Sequence, residues 1–358
     1  MTTLTDLIRG NFNSDNKPGS SGSLGDLFLF DNFGDKAIWL EDGSGGRLAG
    51  TNGVNLPFTG PTWHIAAIAD FDSNAKTLSS IGDNPFSAND LLWVNDNGAL
   101  ALWQSTGQNA NPFAGSNQEN LPNPGAGWHV VSANDFDGNL AADILFQHDL
   151  GNLAIWEFQS FNPNNVLQGA PVIKPGGQLN VDQNPGATWH VVGTGDINAD
   201  LKAGIAFQND NGAIAVWENP TLVGGKIHFD IQSNLPDPGP GWHVVGMGNT
   251  IFPALIITDD LVLQHDTGFI AIWHLQVVGN QVVLDHGFNL GNPGAGWHVV
   301  GVRDMNSDGR ADLVLQNDNG AAAVWDNIQT SGQTGGTHDG FNFNPQPNPN
   351  FHLDWHIV

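Results

Sequence analysis

The sequence predicts an all-β fold, a six-bladed β-propeller of four-stranded antiparallel blades. Three observations carry this expectation. A Trp-His pair opening a short apolar run recurs at Trp63-His64, Trp128-His129, Trp189-His190, Trp242-His243, Trp297-His298 and Trp355-His356. A second signature, Trp closing an apolar pair, recurs out of phase at Trp39, Trp103, Trp156, Trp217, Trp273 and Trp325, so the two series use all but one of the 13 tryptophans. Between them the same short apolar runs and Gly-containing turns return without sustained helical periodicity.

One unit can be read from 128 to 184. WHVVS (128–132) is a first strand, NDFDGNLAAD (134–143) an acidic loop, ILFQ (144–147) a second strand and HDLGN (148–152) a tight turn. LAIWEF (153–158) is a third strand and VLQGAPVI (166–173) a plausible fourth, with NPGAT (184–188) turning into the next unit. Each strand is short, rich in Val, Ile, Leu and Trp, and bounded by Gly, Asn, Asp or Pro. The hairpin turn repeats as NDNG at 95–98, 209–212 and 317–320, HDTG at 265–268 and DNFG at 31–34. Asn, Asp and Gly accept the left-handed backbone that such turns need. Units of this length with four strands suit propeller blades, whose faces are both covered by neighbours. The whole chain, 1–358, reads as one propeller domain. Its blades fall at about 21–62 plus 355–358, 63–127, 128–188, 189–241, 242–296 and 297–354.

The ends fit a closed ring. The chain stops at WHIV (355–358), a first strand with nothing after it, while LFLF (27–30) and AIWL (37–40) supply a second and third strand without a Trp-His of their own. The C-terminal strand is therefore expected to complete the N-terminal blade and remove an exposed edge. The rival is that LTDLI (4–8) supplies that strand.

Composition narrows the function classes. Formal net charge is −26, from 10 basic and 36 acidic residues, which argues against nucleic acid and against adhesion to anionic membranes. Such self-repulsion calls for bound cations. Cys is absent, so there is no disulfide scaffold and no thiolate metal site. No apolar run reaches membrane-spanning length, so direct membrane insertion is not expected. The N-terminus carries no recognisable signal peptide.

The loop after each Trp-His strand is the strongest chemical signal. The last copy places Asp304, Asn306, Asp308 and Asp312 at positions one, three, five and nine, with Gly309 at six. Oxygen ligands at that spacing can wrap a hard cation, calcium rather than magnesium, carried here on a strand-loop-strand. Asp135, Asp137, Asn139 and Asp143 keep all four positions. Asp196, Asn198 and Asp200 keep three, with Gly204 at nine. Asp70, Asp72 and Asn74 keep three, followed by a long insertion to Asp90. Asn11, Asn13 and Asp15 form a weaker copy, and 247–260 has lost the loop. Repeated metal sites of this kind brace structure, and no catalytic role is expected of them.

GDINAD (195–200), NDFDGNLAAD (134–143) and RDMNSDGRADLVLQ (303–316) resemble the FG-GAP/VCBS type of repeat, over nearly the whole chain. That repeat builds integrin alpha-chain propellers and many secreted bacterial proteins. The resemblance implies a propeller with calcium between the first and second strands of a blade, and binding or adhesion more often than catalysis.

The Trp-His histidines are expected to be packed residues, bonded to the backbone of the adjacent blade, with a metal-holding ring near the channel as the alternative. No nucleophile or phosphate-binding motif is present. The segments 104–122, 159–183, 218–237, 274–291 and 326–350 vary while the framework holds, and variable segments on a rigid scaffold are where recognition is built. The expected function is a calcium-stabilised extracellular or cell-surface module recognising a carbohydrate or protein ligand. The alternatives are a polysaccharide hydrolase or lyase with its site at one mouth of the ring, or a purely structural matrix protein.

Overall fold

The structure, a computed structural model, describes residues 27–30, 36–39, 54–56, 59–72, 89–105, 113, 118–159, 172–251, 258–303, 305, 310–331, 335–343 and 356–357. Among them every regular element is a strand. The first blade begins with β1 (Leu27–Phe30), β2 (Lys36–Trp39) and β3 (Val54–Asn55). The second holds β4 (Trp63–Ala69), β5 (Asp90–Asn95), β6 (Leu100–Trp103) and β7 (Gln118–Leu121). The third holds β8 (Trp128–Asn134), β9 (Asp143–His148), β10 (Leu153–Phe158) and β11 (Ile173–Asn180). The fourth holds β12 (Trp189–Gly195), β13 (Gly204–Asn209), β14 (Ile214–Val223) and β15 (Lys226–Asn234). Then come β16 (Trp242–Gly248), β17 (Asp260–His265), β18 (Ile270–Val278) and β19 (Gln281–Gly291). The last unit supplies β20 (Trp297–Arg303), β21 (Asp312–Asn317), β22 (Ala322–Ser331) and β23 (Gly335–Phe343), and β24 (His356–Ile357) ends the chain.

These strands form a propeller of five blades, which corrects the six expected. Four sheets have four strands, and β16–β23 form one sheet of eight. The merger occurs at the outer edges, where β19 and β23 meet in a parallel bridge between Asn289 and Gly335. Outer strands of 11 and 9 residues reach far enough to touch, so two sequence units share one blade. Ring closure holds: β24 pairs antiparallel with β1, Leu29 opposite Ile357 and Phe30 opposite His356. The rival strand at 4–8 lies outside the described residues.

The first three strands expected in the third unit form as β8, β9 and β10, the first two running longer than expected. Its fourth strand lies later than expected, at Ile173–Asn180, and 166–171 lie outside the described residues. The segments expected to vary as loops mostly contain the outer strands. The 218–237 and 274–291 segments are long hairpins, and their tips carry the exposed residues Leu222, Val223 and Val278.

The core lies between blades. Leu145, Ile155 and Phe136 of the third blade pack with Val191, Ile205, Phe207 and Phe229 of the fourth. Hairpin tryptophans stack on aromatic residues of the second strand, as in Phe146–Trp156 at 4.7 Å and Phe207–Trp217 at 4.9 Å. Trp93, the tryptophan outside both series, is buried against Trp103 at 4.8 Å. Such pairs favour tilted or edge-on contact.

Polar clasps join successive units, between neighbouring blades and within the eight-stranded one. Gln147 Nε2 donates to Trp189 O at 2.7 Å and its Oε1 accepts from the Val191 amide at 3.1 Å. Gln208 makes the same two bonds to Trp242 O (2.9 Å) and the Val244 amide (3.0 Å), and Gln264 to Trp297 O (2.9 Å) and the Val299 amide (3.0 Å). Each side-chain amide thus imitates a strand residue for the first strand of the next unit. A second clasp closes the opposite end. The Ala142 amide donates to Asp70 O (2.8 Å), Ala203 to Asp135 O (2.7 Å), Asp259 to Asp196 O (2.8 Å) and Ala311 to Asn249 O (2.6 Å).

Gln208→Ala strands a buried amide and a carbonyl together. We expect a loss of about 2–4 kcal/mol in unfolding free energy, read by denaturant titration. A loss below about 0.5 kcal/mol, the range of neutral surface changes, would show that the clasp contributes nothing.

Candidate metal centres in the acidic loops

Strands one and two run antiparallel, so the acidic loops and the hairpin turns lie at opposite ends of each blade. At the loop end a buried carboxylate recurs. Asp90 Oδ2 accepts from the Phe71 amide at 3.1 Å and Oδ1 from the Ser105 amide at 2.8 Å. Asp143 Oδ2 accepts from Phe136 (2.9 Å) and Oδ1 from Phe158 (2.8 Å). Asp312 Oδ2 accepts from Met305 (2.8 Å), and Asp260 Oδ2 from the Thr250 amide (3.0 Å) and hydroxyl (2.7 Å). One acid at the head of strand two therefore fastens the loop, and where both bonds form it ties strand three as well. The unit that lost its acidic loop still keeps this carboxylate, with His274 Nδ1 at 2.6 Å from Asp260 Oδ1 in place of the second amide. That contact raises the His274 pKa.

The fourth blade reaches the same arrangement differently. Gly204 stands where the acid should be, and the Glu218 carboxylate of strand three fills the space a Cβ on Gly204 would occupy. Glu218 Oε1 accepts from the Ile197 amide at 3.2 Å and Oε2 from the Asn219 amide at 3.1 Å.

Among the described residues two carboxylate triads form. Asp70, Asp72 and Asp90 offer oxygens within 4.8 Å of one another, and so do Asp135, Asp137 and Asp143. Burial, with repulsion from Asp72 and Asp70, holds the Asp90 carboxyl well above the ordinary range. Burial does the same to Asp143, aided by Asp135. Asp135 Oδ1 accepts from the Gly138 (2.7 Å) and Asn139 (3.2 Å) amides and Oδ2 from the Leu140 amide (2.5 Å), while Asn139 Oδ1 accepts from Ala141 (2.7 Å). The third loop is folded alike: Asp196 accepts from the Asp200 and Leu201 amides, and Asn198 Oδ1 from Asp200. Burial raises the Asp196 pKa. Asn74, Asp304, Asn306, Asp308 and the first loop at 11–16 lie outside the described residues.

Sequence reading missed the residue after each hairpin Trp. Gln104, Glu157, Glu218 and His274 all face the loops. Gln104 Nε2 donates to Asp72, and burial and Asp135 raise the Glu157 pKa. The signal was available: a polar residue recurs there in otherwise apolar strands. The Gln that closes strand two at 147, 208, 264 and 316 is a second such signal.

The Trp-His histidines correct an expectation. Those whose side chains are described are not packed against a neighbouring blade. His64, His129, His190, His243 and His298 are 57–61% exposed, and each Nε2 pairs at 2.8–2.9 Å with the turn aspartate of its own blade, Asp96, Asp149, Asp210, Asp266 or Asp318. The NDNG turns form as expected, Gly98, Gly212 and Gly320 having φ of 82°, 91° and 86°. His148 and His265 replace the turn Asn by accepting the same amide on Nδ1.

No protein-family model matches the chain, so the FG-GAP/VCBS resemblance has no family match behind it. No curated protein matches it either. A solved structure described as "Crystal structure of BBS1N in complex with ARL6DN, soaked with mercury" is similar at 12% identity, covering 84% of this chain and 76% of that one, with a TM-score of 0.39. Similarity that low carries no argument about ligand or partner.

Burial raises the Glu218 pKa from 4.5 to about 8. Folding therefore favours the protonated carboxyl. The stability this provides is fully present below pH 4.5 and is lost as pH rises through about 8. With chelator present, wild-type unfolding free energy should fall between about pH 5 and 8, and Glu218→Gln should flatten that decline. Superimposable pH profiles would refute the assignment.

Proposed function

We propose that this chain is a calcium-braced propeller acting as an extracellular or cell-surface binding module for a carbohydrate or protein ligand. The observation that carries the calcium reading is the pair of carboxylate triads on equivalent loops, each with oxygens within 4.8 Å. Their donors are all oxygen, which suits a hard cation, and bringing three carboxylates this close is costly without positive charge. Asp70, Asp72 and Asp90 would hold one ion, and Asp135, Asp137 and Asp143 a second. Asp196, Asn198 and Asp200 of the fourth blade are further candidates, as are Asp304, Asn306, Asp308 and Asp312. Bound calcium would supply charge neutralisation, while the chain's own amides at 136 and 138–140 keep the carboxylates aimed inward.

Recognition falls to the long outer hairpins. They vary in sequence among units, and those of 218–237 and 274–291 carry exposed Leu222, Val223 and Val278 at their tips. Exposed apolar residues on rigid hairpins suit contact with sugar faces or a protein surface.

Calcium should raise the melting temperature of chelator-stripped protein, and Asp72→Asn combined with Asp137→Asn should abolish most of that gain. Identical melting curves with and without calcium, together with no calcium in a metal assay, would end the reading. A glycan array run with calcium decides between ligand classes. Binding to a defined glycan family supports the carbohydrate arm, and silence across the array assigns the hairpins to protein partners.

A further inference from the structure

The pairing of β10 with β11 breaks in an unusual way. Trp156 lies opposite Gln178 and Phe158 opposite Ile173, so one residue on β10, Glu157, faces four on β11, Lys174–Gly177. A bulge re-aims side chains, and this one folds Lys174 back over the acidic loop. Its ammonium forms an ion pair with Asp137 and lies 3.5 Å from Glu157. The contact is largely shielded, Asp137 being 15% and Glu157 12% exposed at the side chain. Lys202, from the loop of the next blade, lays its stem over Gly138, its Cγ 3.4 Å from where a Cβ would sit. Two of the chain's 10 basic residues thus converge on one loop, in a protein of formal charge −26. In the second blade the residue equivalent to Glu157 is the neutral Gln104, which donates to Asp72.

We propose that Lys174 is a tethered counter-ion that competes with a divalent cation for Asp137, so that the 135–143 loop binds calcium only when the lysine swings out. The inference rests on the calcium reading of that loop. The ammonium neutralises Asp137 and Glu157 without any ion, which keeps the third blade folded at low calcium. A divalent ion that needs the same Asp137 oxygen must displace it. The array is thereby graded: the Asp70–Asp72–Asp90 triad fills first and the Asp135–Asp137–Asp143 triad responds at higher calcium.

Calorimetric titration of the full chain with calcium, after chelator stripping, tests this with wild type and Lys174→Met, which keeps the stem. One class of sites should tighten by roughly tenfold in the variant, a difference of about 1.4 kcal/mol. Calcium binding with the same isotherm in both proteins overturns the competition and leaves the calcium reading intact. No binding by either overturns both. Should Lys174→Met fail to fold, amide exchange on wild type decides. Calcium should slow exchange across 135–143 and speed it at Lys174, Gly176 and Gly177, and protection of 135–143 without that loosening refutes the proposal.

Discussion

Burying a carboxylate costs several kcal/mol unless its oxygens are paired. This chain accepts that cost at Asp90, Asp143, Asp260 and Asp312, and with Glu218 in the fourth blade. Each of these acids takes a backbone amide from the start of the loop that follows strand one, and Asp90 and Asp143 take a second at the end of strand three, from Ser105 just past β6 and from Phe158. Three strands are tied at one point that hydrophobic contacts alone would leave free to slide. The arrangement survives loss of the acidic loop at 247–260 and loss of the aspartate at 204, so it is the constant feature of the unit. The acidic loops proposed to hold cations lie next to it.

The clasps between blades obey the same logic at a different place. A first strand has one edge paired within its own blade and exposes polar backbone on the way to the next. Gln147, Gln208 and Gln264 satisfy that backbone from the preceding unit, and amide-to-carbonyl bonds do so at the loop end. Apolar residues fill the space between the two rows of clasps. Blade follows blade in fixed register because both ends are pinned by directional bonds while the middle is held by packing.

Strong negative charge is distributed unevenly by this scaffold. The turn aspartates are spent on exposed histidines, where such surface contacts contribute little to stability. The loop aspartates converge and repel, and only there does neutralisation matter. The third blade meets the repulsion with lysines from its own outer strand and from the next loop. The second blade, among the described residues, meets it with a glutamine. Equivalent positions in a repeat protein are in this way given different partners for their acids.

Much of the fold was legible in the sequence. The Trp-His and hairpin Trp series marked first and third strands because alternation, turn chemistry and length are local properties, and the terminal WHIV fragment announced ring closure. The acidic spacing marked the loops, and among the described residues two of them gather their carboxylates. The count of blades was not legible, since β19 and β23 join through one bridge between strands far apart in the chain. Nor was the partner of each histidine, because Asp96 and His64 meet only when strands one and two pair. Glu218 filling the space at Gly204, and Lys174 turned back on Asp137, depend on which residues face each other across a hairpin. Sequence by itself determined the repeat, the strands and the acids, which follow from nearest-neighbour chemistry. Only the tertiary structure decided which acids are buried, which are paired and which cation reaches them, because burial and approach are set by register between distant strands.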